Sequence, residues 1–376
     1  MSFLNTSNRW GALRLVTVSI CVITSLFGAT TALAQEEEKA WMPAAPEGMP
    51  DDFDWIRLPS DEWLKGEIVS VYDGTLEFDS DELGMLDFDF DDIKELRSSR
   101  ILQVGFEKKD PAIGRMYMEG DTVTITGDAG EVQFDRSEIL TIIVGTPKEI
   151  NYWSGYANIG GNIRSGNVDQ LDYTGRLGAM RRSLRSRIKF DYLGNLTTID
   201  SVETSNNQRV TLGWDYFLTK RLFVNVIGGE WYRDPFQNIA NRYTVTAGLG
   251  YQIIDTSRTS WSVTLGPAWL STEFDSVAEG EDDATSSGAA RLGTQFDHEI
   301  TGDIDFYALY NGTFTDEMSG TYLHHFDTGV DFDLIGNLDF NVSWVWDRVQ
   351  DPRPLEDDTV PEQDDYRIIF GLGWDF

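Results

Sequence analysis

Alternation of apolar and polar residues is the feature that most restricts the fold of this chain. From residue 151 to the last residue, about twelve segments follow this period of two and are separated by turns. In one of the clearest, Tyr243 and Tyr251 bracket an apolar face, and Arg242 lies on the opposite face. A period of two is typical of strands whose two faces meet different environments. The pattern predicts an all-β fold with about twelve antiparallel strands.

The spacing of aromatic residues favours a membrane barrel over a soluble sandwich. Alternation alone fits both, because it does not tell whether the apolar face points inward or outward. Eight residues span about 26 Å along a strand, or roughly 20 Å after a tilt of about 40°. That length approaches the apolar band of an outer-membrane barrel with an aromatic girdle at each edge, and a secreted β-sandwich is the alternative. The aromatic pairs at this spacing are Tyr243 and Tyr251, Trp261 and Trp269, and Tyr366 and Trp374.

The connections between the predicted strands alternate in length. Outer-membrane barrels have short periplasmic turns and long external loops. With an even number of strands, both ends of the barrel lie on the short-turn side, together with the preceding domain. Long connections are predicted near residues 164–170, 197–208, 230–242, 273–288, 314–322 and 348–365. Short ones, of six residues or fewer, are predicted near 181–186, 218–221, 255–260, 298–303 and 335–337.

The last strand carries the pattern that outer-membrane assembly machinery reads. Gly371, Trp374 and Phe376 have the spacing of this barrel assembly signal, although Ile369 stands where a polar residue is usual. We therefore expect barrel-assembly machinery to be a partner of the chain. Outer-membrane lipid and lipopolysaccharide are the expected surroundings of the folded barrel.

The first residues have the composition of a secretory signal peptide. Arg9 and Arg14 precede an apolar stretch at 15–26, and small residues follow it, as signal peptidase requires. We expect residues 1–34 to be removed, and a single-helix membrane anchor is the alternative. The predicted cleavage site comprises Ala32, Ala34 and Gln35.

The composition of the remaining chain excludes several classes of protein. Cys21, the only cysteine, lies in the predicted signal peptide, so disulfides, thiol nucleophiles and cysteine-based metal sites are not expected. The chain has 30 basic and 63 acidic residues, and its net charge of -33 argues against nucleic acid as a partner. Mean hydropathy is -0.31, and no apolar run of membrane-spanning length follows residue 34, which excludes a helical membrane protein.

A tandem repeat precedes the alternating region. Residues 86–93 match residues 132–139 at an offset of 46, and each copy alternates around a glycine turn. This predicts two small β-sheet modules of SH3-like or Sm-like type. They contain no histidine, so a binding or spacer module and a solvated acidic scaffold both stay open. The predicted domains are a signal peptide (1–34), a flexible acidic linker (35–55), a periplasmic repeat domain (56–148, with copies at about 56–99 and 100–145) and an outer-membrane barrel (149–376).

Acidic residues cluster on the predicted inner face, toward the short turns. Carboxylate rings favour cations in pores, so an acid ring here predicts a periplasmic mouth that prefers cations. Basic residues such as Arg176 and Lys189 share the inner face. A lumen closed by pairs of acids and arginines is therefore the alternative. The predicted ring comprises Asp215, Asp297, Asp303, Asp305, Asp331, Asp333, Asp339 and Asp375.

We expect no catalytic, cofactor or metal site. An enzyme would have to use His298, His324 or His325, the only imidazoles of the chain. His325 and Asp327 share the inner face, but no serine is clearly paired with a histidine on the outer face, as a barrel phospholipase would need. The acidic external loops offer ligands for divalent cations or lipopolysaccharide, yet they lack the ordered ligand spacing of an EF-hand.

Glycine-rich and aromatic motifs in the first barrel strands mark a family resemblance. They are residues 153–167, the Gly-Arg-Leu-Gly segment at 175–178 and the Gly-Trp-Asp-Tyr segment at 213–216. They resemble the bacterial YdiY-like family of salt-induced outer membrane proteins, over residues 151–376. The resemblance implies an outer-membrane location and supplies no catalytic residues. A structural or envelope-stress barrel is the favoured function, ahead of a narrow cation-preferring pore and of a barrel hydrolase or secreted sandwich.

Overall fold

The computed structural model describes residues 53–375, apart from 73, 129, 146–147 and 167. The predicted signal peptide with its cleavage site, most of the predicted linker, and Phe376 lie outside the described residues. Within the described part, every long element is a strand, and the helical elements are short 3-10 turns. No helix there is long and apolar enough to cross a membrane.

The first part of the described chain forms a single nine-stranded antiparallel sheet, called here the small sheet. Its strands are β1 (Asp54–Arg57), β2 (Trp63–Tyr72), β3 (Thr75–Ser80), β4 (Gly84–Asp89), β5 (Glu95–Phe106), β6 (Ala112–Glu119), β7 (Thr122–Gly127), β8 (Gly130–Asp135) and β9 (Ile139–Val144). The order is β4-β3-β2-β1-β5-β6-β7-β8, and β9 pairs with both β2 and β5. Strands β1, β2, β9 and β5 therefore close into a small four-stranded barrel.

The repeat seen in the sequence is visible in this sheet. In each copy a hairpin of two short strands precedes a 3-10 turn and a further strand. The turns lie at Phe90–Asp92 and Arg136–Glu138, which keeps the offset of 46. Strand β5 passes from the first copy into the second, so the two modules share one sheet and one core. That core contains Phe78, Phe90, Leu96, Phe106 and Met118, all buried.

The second part is a closed barrel of twelve antiparallel strands, as predicted. The strands are β10 (Trp153–Arg164), β11 (Gln170–Arg182), β12 (Ser186–Ile199), β13 (Val202–Phe217), β14 (Leu222–Asp234), β15 (Ile239–Asp255), β16 (Thr259–Phe274), β17 (Ala284–Thr301), β18 (Ile304–Phe314), β19 (Tyr322–Ile335), β20 (Leu338–Val349) and β21 (Asp364–Asp375). Each pairs with its neighbours in the chain, and β21 closes the ring against β10. The predicted all-β fold class is confirmed.

The apolar faces of the barrel strands point outward. Leu265 is 62% exposed, and Tyr243 and Ile368 on other strands are exposed as well. On the opposite face of their strands, Arg242 and Thr272 are buried. A sandwich would bury its apolar stripes between two sheets. The polar residues therefore fill the interior of this barrel.

The connections are shorter than the sequence pattern predicts, and the difference is largest at two places. Strands β12 and β13 extend until only Asp200 and Ser201 separate them, and both have positive φ angles of 50° and 66°. The predicted long connection at 197–208 is therefore wrong, and the one at 230–242 shrinks to the 3-10 turn Pro235–Gln237 with Asn238. In these hairpins the hydrogen-bonded ladder continues through polar residues beyond the apolar band, so the strands are longer than their apolar faces.

The small sheet packs against the short-turn end of the barrel. The Tyr72 hydroxyl donates to the carbonyl of Arg182 at 3.2 Å, and the Arg185 guanidinium donates to the carbonyls of Phe106 and Lys109 at 2.5 and 2.6 Å. Burial raises the pKa of the Tyr72 phenol well above its usual value. The contact also has an apolar part, formed by Leu140, Phe217 and Phe223.

Asp54 anchors the small sheet through a fully buried carboxylate. It accepts from the backbone N–H of Ile68 at 2.8 Å and from Arg100 Nη2 at 2.5 Å. Asp54→Ala would leave the buried Ile68 N–H unpaired and would leave Arg100 with the exposed Glu67 as its carboxylate partner, so we expect a loss of about 3–5 kcal/mol in the stability of the sheet. Urea-dependent proteolysis of the full chain measures this as cleavage within residues 53–144. Asp79→Ala, which removes an exposed carboxylate on β3, is the control, and equal protease resistance of both variants would contradict the expectation.

Candidate functional site

The barrel interior is crossed by side chains from opposite walls. Arg209 on β13 donates to Asp347 on β20 at 2.6 Å, and these are the fourth and eleventh strands of the ring. Lys189 on β12 reaches Gln295 on β17 at 2.8 Å. Arg176 on β11 contacts both Asp327 on β19 and Tyr307 on β18. Long basic side chains therefore connect one half of the wall to the other.

Asp347 and Glu230 are the centre of this charge network. Asp347 accepts from Arg209, from Arg367 and from His325 Nδ1, the last at 2.8 Å. Glu230 on β14 pairs with Arg209 at 2.9 Å and with Arg291 at 2.7 Å. Buried charges are tolerated only where they are paired and hydrogen-bonded, and this network meets that condition. The remaining space beside it is only about 30 Å³.

The long-loop end of the interior is filled by apolar side chains and covered by loops. Tyr232, Ile239, Leu270, Leu323 and Val349 form a buried cluster there. Above it, the Asn238 amide donates to the carbonyl of Pro354 at 2.9 Å, and Arg353 pairs with Glu281 at 2.8 Å. The connection between β20 and β21 is thereby tied to two other connections at the long-loop end.

A cavity of about 180 Å³ lies in the interior beside strands β12 to β17. Charged side chains of both signs reach it, including Lys189, Asp215 and Arg291. Its wall contains many residues with little or no side chain, which is why space remains there. They are Gly213, Gly228, Gly229, Gly248, Gly266 and Gly293, with Thr211, Thr246, Ser262 and Thr264.

Four residues of the predicted acid ring are brought together on neighbouring strands. Asp305 lies directly opposite Asp331, and Asp333 lies directly opposite Asp339. Asp305 and Asp333 are exposed at the short-turn end, and Asp303 is exposed in the adjacent turn. Like charges opposite each other in an antiparallel pair are destabilising unless something neutralises them.

The other ring residues are placed differently. Asp215 is buried on β13 and pairs with Arg187 at 3.1 Å, and Asp297 accepts from Gln295 at 3.0 Å. The side chain of Asp375 lies outside the described part of the chain. A cation-preferring ring at this mouth stays a prediction.

No sequence pattern predicted the two acids at the centre of the network. Glu230 and Asp347 alternate like their neighbours, and no motif marks them. His325 shares the inner face with Asp327, as expected, but it bonds to Asp347 instead, and Asp327 bonds to Arg176. Only the barrel circumference decides which of these side chains meet.

The remaining histidines, together with Gly371 and Trp374 of the predicted assembly signal, lie in the barrel wall. His324 lies on the outer rim, where Nδ1 is 2.7 Å from the Tyr310 hydroxyl and the ring stacks on Trp346. His298 Nδ1 is 2.9 Å from Thr259 Oγ1. Gly371 faces inward and Trp374 outward on β21. Among the described residues, no group of three or more His, Cys, Asp or Glu side chains is arranged to hold a metal ion.

A family model for this barrel matches residues 157–376, more than half of the chain, under the description "Protein of unknown function, DUF481". The chain belongs to this family. The match begins within β10 and runs through the rest of the barrel, and the small sheet precedes it. None of the curated proteins compared with this DUF481 chain matches it.

Solved structures of three proteins are similar to the chain. The NanC porin is 13% identical, with a TM-score of 0.36, over 58% of this chain and 98% of that one. The KdgM porin is 13% identical, with a TM-score of 0.31, over 60% and 99%. An outer membrane channel from Pseudomonas putida F1 is 10% identical, with a TM-score of 0.32, over 60% and 94%.

Removal of Asp347 would leave two guanidinium groups, those of Arg209 and Arg367, without their shared carboxylate. We expect Asp347→Ala to lower the free energy of unfolding by about 3–5 kcal/mol, since Glu230 alone would then have to balance both Arg209 and Arg291, and the buried Arg367 would keep only Asp365, at 3.6 Å. Urea titration of the barrel in detergent measures it. Asp351→Ala, which removes an exposed carboxylate two residues beyond β20, should change the value by less than about 0.5 kcal/mol. A loss equal to that control would show that the network contributes little.

Proposed function

We propose that the chain is an outer-membrane β-barrel of structural or envelope-stress type whose interior is closed by its own side chains. The observation that carries this proposal is the buried charge network around Asp347, which links opposite walls of the barrel toward its long-loop end. We further propose that the short-turn end, with the small sheet, faces the periplasm. Barrel-assembly machinery, outer-membrane lipid and lipopolysaccharide are the proposed partners.

The outer face supports insertion into a membrane. Its strands are apolar on that face, and aromatic residues stand at both edges of the band, as at Trp261 and Trp269. Tyr and Trp favour the interface of a membrane, where one end of the side chain is apolar and the other is wet. Closure of the sheet satisfies the backbone groups of the wall, which lipid could not do.

The burial of inner side chains supports a closed interior. Side chains that line a water-filled channel keep contact with solvent. Here Thr244 on β15 and, across the interior, Asp327 on β19 and Asp347 on β20 are each at most 3% exposed. Twelve strands enclose a space between that of a filled small barrel and that of a porin, so side-chain length decides the outcome. The arginines of this barrel are long enough to close it.

A second candidate function is a narrow pore that prefers cations. The observation in its favour is the group of opposed acids at the short-turn end, together with the cavity of about 180 Å³ above. A solute would then have to displace the Arg209 and Asp347 bridge to pass. This candidate therefore requires a gating step that the structural role does not.

A charge in the middle of the outer face tests insertion. Leu265 lies midway between Trp261 and Trp269, so Leu265→Arg should cost about 2–4 kcal/mol in lipid vesicles if this is the bilayer midplane. Ile300→Arg, on the same face but near the end of β17, should cost about 0–1 kcal/mol. Guanidine titration of vesicle-inserted protein gives both values. Equal costs would mean that this face is not a lipid-facing band.

Conductance in planar bilayers separates the two functions. A barrel sealed by the network should pass no ions, while the double variant Arg209→Ala with Asp347→Ala should open measurable conductance because the central bridge is removed. Reversal potentials under a KCl gradient then report selectivity. Cation-selective currents from the unaltered chain would overturn the closed barrel in favour of the pore, and silence of both proteins would show that other side chains also seal the interior.

A further inference from the structure

A row of directly opposed residues crosses the closure of the barrel at its short-turn end. Asp333 on β19 is opposite Asp339 on β20, which is opposite Gly373 on β21. Gly373 is in turn opposite Asn158 on β10. All four positions lie on the inner face of the barrel wall. The row therefore joins the last three strands of the barrel to its first.

Gly373 forms a notch between two oxygen atoms. A Cβ atom at this position would clash with both Asp339 Oδ1 and Asn158 Oδ1. The two oxygens thus point at one place and lie no more than about 4 Å apart, a separation that one cation with oxygen ligands at about 2.3–2.6 Å can bridge. Any larger residue at 373 would displace these oxygens.

Neither oxygen has a hydrogen-bond partner, although both residues are buried. Asp339 is 4% exposed and Asn158 is 8% exposed, and Asp339 Oδ1 and Asn158 Oδ1 are both unpaired. A buried acceptor without a donor costs about 1–3 kcal/mol, and a charged one costs more. Two acceptors cannot satisfy each other. A cation, or a reversed Asn158 amide that donates to Asp339, would satisfy them.

The surroundings of the notch are negative. Asp333 is opposite Asp339, and Asp331 and Asp305 form a second opposed pair on the adjacent strands. Arg176 is opposite Asn158, but its guanidinium is directed to Asp327 and Tyr307. The field at the notch therefore favours a positive ion, and carboxylate and amide oxygens are the ligands that Ca²⁺ prefers.

We propose that Asp339 Oδ1 and Asn158 Oδ1 bind a Ca²⁺ ion over Gly373, with water completing its coordination. The ion joins β20 to β10 across the terminal strand. This is the place where such a link has the greatest effect, because within the described part of the chain β10 and β21 pair over only four residues, from Tyr156 to Ile159. The site differs from the acidic external loops in position and in its amide ligand.

The test uses the full chain, purified in detergent without lipopolysaccharide. Calorimetric titration with CaCl₂ should show uptake of Ca²⁺, and the temperature at which the folded form is lost on unheated gels should fall in chelator and recover with Ca²⁺. Asp339→Asn should abolish both responses, because an amide at 339 can donate to Asn158 and leaves no need for an ion. Asp303→Asn makes the same charge change at an exposed turn of the same mouth, and it should keep both responses.

A second variant keeps the test decisive if Asp339→Asn does not fold. Asn158→Asp adds a second carboxylate to the notch, which should tighten Ca²⁺ binding by about tenfold or more, since ligand charge sets Ca²⁺ affinity. If a reversed Asn158 amide satisfies Asp339 instead, Asn158→Asp would lower the stability without rescue by Ca²⁺. The absence of any Ca²⁺ response in the unaltered chain, or an undiminished response in Asp339→Asn, would overturn the proposal.

Discussion

The closed hydrogen-bonded ladder of twelve strands is the constraint on which the rest of this structure depends. A closed ring has no free sheet edge, so its backbone groups are satisfied within the wall. Closure also divides every strand into an outer and an inner face, since successive side chains alternate across the sheet. The outer face can then be largely apolar, and most polar side chains of the strands are confined to the inside. The ring closes over a short pairing between β10 and β21, which makes this seam the least supported part of the wall.

Polar and charged groups that are confined inside the ring lose contact with water, and in this barrel they pair with one another. A charge that enters a buried space must meet an opposite charge there. Arg209, Arg291 and Arg367 meet the carboxylates of Glu230 and Asp347 inside the barrel, toward its long-loop end. These bonds also brace opposite sides of the wall. The same interactions that make the polar interior tolerable therefore support a closed rather than an open barrel.

The small sheet satisfies further polar and apolar groups at the short-turn end of the barrel. It contributes backbone carbonyls to Arg185 and an apolar surface to Phe217 and Phe223. Its contacts lie on β11 to β15 and the turns between them, whereas Asp305, Asp331 and Asp333 on β18 and β19 stay at least partly exposed. The two halves of the mouth thus differ, one covered and the other acidic. This asymmetry explains how a cation site at the seam is compatible with a barrel that is otherwise filled.

The sequence by itself determined the period of the strands, their number, the parity of their faces and the tandem repeat of the small sheet. These are local properties: alternation follows from the geometry of one strand, and Tyr243, Val245 and Tyr251 reveal their common face without reference to any other strand. It also indicated which acids are inward. Only the tertiary structure decided that β14 contains a bulge after Asn225, that β12 and β13 meet in a two-residue turn, and that Arg209 reaches Asp347. Such outcomes depend on the circumference of the ring, on register between strands and on the length of each side chain, and none of these is encoded in the spacing along a single strand.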